Sequence, residues 1–144
     1  MPINGMSSGS YPRWLFASIS LLCLSSCGDP KFDQYFVRGE QLYVQHCSNC
    51  HQKDGKGLGL VYPPVDESDF MEQNFEATLC LMKYGVKGEL AVNGKVYNQA
   101  MPGVRSLTDL EVAEIATYMY NSGTHKRGLI LVTEVEKVMR NCPQ

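Results

Sequence analysis

The sequence has no surplus of positive charge. Thirteen Lys and Arg stand against fifteen Asp and Glu, a formal charge of −2 over 144 residues. A nucleic-acid binder normally carries a basic excess on one face, so that class is excluded. Charged residues are few, at 19%, which excludes a highly charged disordered chain. There is no internal repeat and no low-complexity stretch, so a repeat array is excluded. No apolar run reaches bilayer-spanning length: the run from Trp14 to Leu24 is short and broken by Ser. The Gly-rich stretch Gly55, Gly57, Gly59 has no strand before it and no Gly-Lys-Ser/Thr after it, so it is not a phosphate cradle. The length fits one ordinary domain and not two. Apolar residues, at 44%, suffice for one modest core. Six cysteines are many for a small cytosolic protein and few for a disulfide scaffold.

Residues 1–26 carry one charged side chain, Arg13, followed by the apolar run and small residues. A basic start, a short apolar centre and small residues at the end make a secretory signal. Its end, Leu24-Ser25-Ser26-Cys27, resembles the lipobox of bacterial lipoproteins. That resemblance implies cleavage before Cys27 and a lipid on its sulfur. Several acyl chains on one cysteine anchor a protein stably without spanning the membrane. The expected location is therefore exported, on the periplasmic side of a bacterial membrane, lipid-anchored.

The remainder divides into a tether over 27–37, a domain over 38–123 and a C-terminal extension over 124–144. Phe36, Gly39, Tyr43 and Cys47 recur at helical spacing. Gly39 is costly inside a helix, which suggests a close crossing with another helix. A second helix is predicted from about Phe75 to Tyr84, capped by Asn74 and ended by Gly85. Val92-Asn93-Gly94-Lys95-Val96 reads as a tight hairpin, since Asn-Gly suits a turn with two positive φ angles. A third helix starts at Thr108 with Glu111 completing a capping box, and Asn121-Ser122-Gly123 stops it. Thr133 and Glu136 predict a short tail helix.

The chemistry lies in Cys47-x-x-Cys50-His51, the c-type haem attachment signature. Two cysteines three apart at a helix end can each add across one haem vinyl group, and the next residue presents an imidazole to the iron. Three other readings compete. Half a zinc site would need ligands from the scattered Cys80, Cys142 or His125. A thioredoxin-like redox pair would need a βαβ pattern that is absent. A disulfide across one helical turn fits poorly. The export signal favours haem, which is attached outside the cytoplasm.

The chain resembles a class I cytochrome c from about Arg38 to Gly123. Gly39, Tyr43 and Cys47 match the family's first helix, and Ile115 and Tyr118 match the last helix where it crosses the first. Gly57 with Pro63-Pro64 matches the haem-cradling loop, with Val65 where Leu is usual. The segment from Val92 to Met101-Pro102 resembles a subgroup found as small exported carriers and as domains fused to some oxidases and nitrite reductases. The usual aromatic after Ser122 is missing, so no specific partner is implied. The resemblance implies an all-α class I fold around one covalent haem c, with a small hairpin before the ligand Met and an extra C-terminal helix. It also implies that Pro63 or Pro64 supplies a carbonyl to His51, fixing the ring.

A haem held by His51 alone needs a second axial ligand or has an open site; Met71, Met82, Met101, Met119 and Met139 are candidates, with His46 and His125 as rivals. Met82 and Met119 lie on buried helical stripes. Met71 follows too closely on the loop after His51, and Met139 is in the tail. Met101 sits in no stripe, and Pro102 stiffens its loop. The family places its ligand Met before Pro in the same way. Thioether ligation raises the potential. His46 reads as a surface residue and His125, beside Lys126 and Arg127, as a solvated turn. Tyr97 and Arg105 flank the ligand loop and face either the haem or ordinary packing. Cys80 and Cys142 are either a disulfide or two free thiols. Lys53, Lys56, Lys83, Lys87 and Lys95 near the loops are interleaved with acids, which reads as a mixed solvated surface.

The expected function is one-electron transfer with His51 and Met101 as axial ligands, between a redox protein donor and acceptor, and without substrate chemistry. Two alternatives remain: a haem subunit of an oxidase or reductase complex, and a haem sensor or enzyme with an open sixth position.

Overall fold

The computed structural model describes residues 28–143; the expected signal segment 1–26 and Cys27 lie outside them. Helix α1 spans Pro30–His46. It begins earlier than expected, so residues 30–37 are helix and not tether. Pro30 occupies a first-turn position, where its missing N–H costs nothing. The Asp29 side chain accepts from the Lys31 N–H at 2.9 Å, and Asp33 adds negative charge to the first turn. Tyr35, Gly39, Leu42 and Tyr43 are its buried face.

One further turn, α2, spans Ser48–His51. The chain leaves it at Gln52 with φ of 61° and loops back through the glycines and Pro63-Pro64. Two helices follow: α3, Asp69–Gln73, and α4, Phe75–Tyr84. The five-residue α3 has no sequence periodicity to reveal it. Ser68 caps it, its Oγ accepting from the Met71 N–H at 3.3 Å. Helix α4 has the expected bounds, but Asn74 does not cap it through its side chain. The amide instead donates back to the Phe70 carbonyl at 3.0 Å. Gly85 ends α4 with φ of 76°.

Four short strands follow: β1 Gly85–Val86, β2 Leu90–Val92, β3 Lys95–Tyr97 and β4 Met101–Pro102. β2 and β3 form the expected hairpin, with Asn93 and Gly94 at φ of 51° and 70°. A second antiparallel ladder joins β1 to β4, with Gly85 opposite Pro102 and Val86 opposite Met101. Helix α5, Asp109–Ser122, carries the full capping box of Thr108 and Glu111. Helix α6 spans Val132–Met139. It starts before Thr133, which is therefore inside the helix and does not cap it; Leu131 holds the cap position without a side-chain bond.

The core forms where α1 crosses α5. A Cβ on Gly39 would collide with the Glu114 carbonyl and lie 2.9 Å from the Tyr118 Cβ, so only glycine allows this approach. Phe36 and Tyr43 hold the Tyr118 ring, with centroids at 5.2 and 5.3 Å. Val112, Ile115 and Ala116 of α5 are fully buried, as are Leu79 of α4 and Val135 of α6. Burying an aliphatic side chain of this size contributes about 1.5–3 kcal/mol.

Candidate functional site

Cys47 closes α1: its N–H donates to the Tyr43 carbonyl at 2.8 Å. Its own carbonyl accepts from the N–H groups of Cys50 and His51, at 3.1 and 3.0 Å. That turn puts residues three and four apart on one side of the backbone. Among the described residues, Cys47 and Cys50 have no disulfide partner. Burial, and next the nearby Cys50, push the Cys47 thiol up to about 11, so it stays protonated at neutral pH.

His51 is buried, and its Nδ1 lies 2.9 Å from the Pro63 carbonyl. A carbonyl only accepts, so Nδ1 carries the proton and Nε2 keeps its lone pair. Burial lowers the imidazole pKa, which favours the neutral ring that binds metal; the Pro63 bond partly opposes this. The loop is built to deliver that carbonyl. Gly57 donates to the His51 carbonyl at 3.0 Å, and Gly55 accepts from Val65 and Asp66 at 2.8 and 3.0 Å. A Cβ on Gly57, at φ of 67°, would strike Tyr62 and Pro63. Pro64 does not bond His51; it lines the adjoining cavity.

Three apolar cavities meet at this point. The first has a volume of about 60 Å³. His51 and Met101 border all three. Cys47 borders the first and third, and Cys50 the second and third. Met82 reaches two of them, while Met71 and Met119 line only the first of the three. Met139 packs in the tail beside Cys142. Met101 is half-buried, held by the β1–β4 ladder and by the bond from the Val104 N–H to the Met82 carbonyl at 3.0 Å. Tyr97 is buried on the second cavity, and its hydroxyl donates to the Gly59 carbonyl at 3.4 Å. Arg105 lies over the Tyr84 ring, 5.5 Å from its centroid.

Several side chains lie elsewhere than expected. His46 is half-buried and borders the third cavity. His125 is not a solvated turn. It is buried, its Nδ1 3.1 Å from a Glu72 carboxylate oxygen and its ring 6.0 Å from that of Tyr120. The chain after α5 folds back there, held by the bond from the Thr124 N–H to Asp66 at 3.2 Å. Lys83 is not free on the surface but pairs with Asp109 at 2.7 Å. A disulfide joins Cys80 of α4 to Cys142 just beyond α6. Sequence reasoning missed the strap made by β1 and β4; its one signal is the pair of glycines, Gly85 and Gly103, that let two backbones touch.

The residues fit a covalent haem. Two thiols lie one turn apart beside apolar cavities, and an imidazole is fixed in the tautomer that iron requires. Among the described residues, no group of three or more His, Cys, Asp or Glu could hold another metal ion. The half zinc site therefore lacks its other ligands there.

Fold and site define a protein of the monohaem cytochrome c class, with haem c bound covalently. Residues 36–119 match the family described as cytochrome c oxidase, cbb3-type, subunit III, and the chain belongs to this family of cytochrome c domains. Two cytochromes c-552 from Thermus thermophilus are each 32% identical over 85 residues, covering 56% of this chain. The match covers 64% and 57% of their lengths, so the chain spans about three-fifths of these relatives. The cytochrome c subunit of a quinone alcohol dehydrogenase from Gluconobacter oxydans is 26% identical over 104 residues, 69% of this chain and 21% of that subunit.

Proposed function

We propose that the protein is a one-electron carrier whose haem iron takes His51 and Met101 as axial ligands. The observation that carries this is that His51 and Met101 are the two residues that border all three of the apolar cavities described above, which Cys47 and Cys50 also line in part. When bound, haem supplies a one-electron ferric/ferrous couple. The chain supplies the rest. Cys47 and Cys50 would hold the group covalently, Pro63 orients His51, and the strap keeps Met101 beside the same cavities. Filling both axial positions leaves no open site for a substrate, and a thioether raises the potential. The test is visible spectroscopy of the ferric protein. A weak far-red band from the iron–thioether bond is expected, and Met101→Ala abolishes it. A high-spin spectrum in the wild type contradicts the reading.

The protein acts outside the cytoplasm, held to a membrane by lipid on Cys27. The signal-like segment and its lipobox resemblance support this. No helix among the described residues is long and apolar enough to cross a membrane. Cys27→Ser is expected to move the protein from the membrane to the soluble fraction; unchanged attachment refutes the anchor.

A second reading is a haem subunit of a larger redox complex, favoured by the match to a dehydrogenase's cytochrome c subunit over 69% of this chain. Purification from detergent-solubilised membranes separates the two. A stable larger complex supports the subunit, and a monomer supports the carrier.

A further inference from the structure

Every backbone contact that holds Met101 comes from the end of α4 or the turn after it. Val86 pairs with Met101 and Gly85 with Pro102. The Val104 N–H donates to the Met82 carbonyl at 3.0 Å. A Cβ on Gly103 would collide with the backbone of Lys83, Tyr84 and Gly85, so the two segments touch backbone to backbone. The Met101 backbone therefore cannot move away from the cavities unless the end of α4 shifts with it or the strap tears.

The position of α4 is fixed from two sides. Leu79 and Met82 are buried on its inner face. Cys80 lies two residues before Met82, about 200° away round the helix, on a flank that is half-buried against the core. There it is bonded to Cys142, with Cα atoms 5.5 Å apart across a separation of 62 residues. Val135, Val138 and Met139 bury α6, which ends three residues before Cys142, against the body. Two other side-chain links at this end of α4 are the partly exposed Lys83–Asp109 pair and Arg105 over the Tyr84 ring, and links of these kinds contribute little when exposed.

We propose that the Cys80–Cys142 disulfide is a positioning element for the axial thioether. By fastening α4 to the segment just beyond the C-terminal helix, it keeps the Met101 strap against the cavities and the sixth position closed. The proposal rests on the Met101 reading given above. It assigns a role at the haem to the chain beyond residue 123, which lies outside the matched family segment of residues 36–119. Cys80 and Cys142 do not touch the cavities themselves; they act through α4.

The test uses the haem-loaded protein. A phosphine reductant opens the disulfide and leaves the thioethers intact. The two thiols are capped with iodoacetamide, counted by mass, and the ferric state is then restored. Three readouts are compared with the intact protein: the pH at which the far-red band is lost, the affinity of ferric haem for imidazole, and hydrogen exchange of the amides at 85–86 and 101–104. Opening the disulfide is expected to lower the pH midpoint by at least about one unit. It is expected to tighten imidazole binding about tenfold or more and to speed those amides by a similar factor, while α1 amides stay unchanged. The Cys80→Ser/Cys142→Ser protein should behave in the same way. If all three readouts are unchanged with both thiols capped, the proposal is overturned. Equal acceleration in α1 also overturns it, because the bond is then a general staple. Met101→Ala with the disulfide intact separates the two ideas. If it removes the band while disulfide opening does nothing, only this proposal fails; if it leaves the band, the Met101 reading fails as well.

Discussion

Tyr43 illustrates how single residues tie the helix crossing to the site. Its ring packs in the core, and its hydroxyl donates to the Gln52 carbonyl at 2.7 Å, where the chain takes a positive φ just after His51. Tyr43→Phe is expected to cost about 1 kcal/mol, since one part-buried hydrogen bond is lost. Thermal unfolding of the haem-loaded protein checks this. Burial also raises the phenol pKa well above its ordinary value of 10.0. A raised acid stabilises the fold below the unfolded pKa and loses that contribution as pH rises past it. The wild type should therefore lose stability above about pH 10 more steeply than Tyr43→Phe. Residue-scale features were readable where chemistry or sterics dictate one residue type. Gly39 had to be small, and Cys47, Cys50 and His51 had to share a turn. His125 was not readable, because its neighbours Lys126 and Arg127 look solvated and only the returning chain buries it.

Among the elements, the hairpin shows most clearly how local signal and tertiary contact combine. Asn93 takes a positive φ in the turn, and it also clasps the start of α3. Its N–H donates to the Asp69 carboxylate at 2.7 Å, its side-chain oxygen accepts from the Asp69 N–H at 3.0 Å, and its amide donates to the Glu67 carbonyl at 3.0 Å. Asn93→Gly keeps the turn and loses the side-chain half of the clasp. Asn93→Ala loses those bonds and adds backbone strain. Alanine is therefore expected to destabilise by about 1 kcal/mol more than glycine, measured by denaturant unfolding of both variants. The turn was legible from Asn-Gly, and α4 and α5 from their periodicity and glycine stops. The clasp was not, because it joins residues 24 apart. The β1–β4 ladder is two residues long on each side, too short for any alternation to register. The start of α1 lies earlier than the tether over 27–37 allowed; Pro30, which favours helix in a first turn, is the local signal for it.

At the scale of the whole molecule, the packed helices leave apolar cavities around His51 and Met101, and such space is unfavourable when its walls have no partner atoms. A Cys47→Ser/Cys50→Ser protein, which cannot hold haem covalently, is expected to keep helical far-ultraviolet dichroism and lose its near-ultraviolet signal. A sharp near-ultraviolet spectrum without haem would contradict this. The helix start at Pro30 has a further consequence for the lipid-anchored reading. A tether over 27–37 would reach roughly 40 Å when extended, whereas the stretch from Cys27 to Pro30 reaches only about 10 Å. A domain on so short a leash cannot range outward to find partners. If Cys27 carries the anchor, encounter with a partner would then depend on which side of the domain faces the lipid.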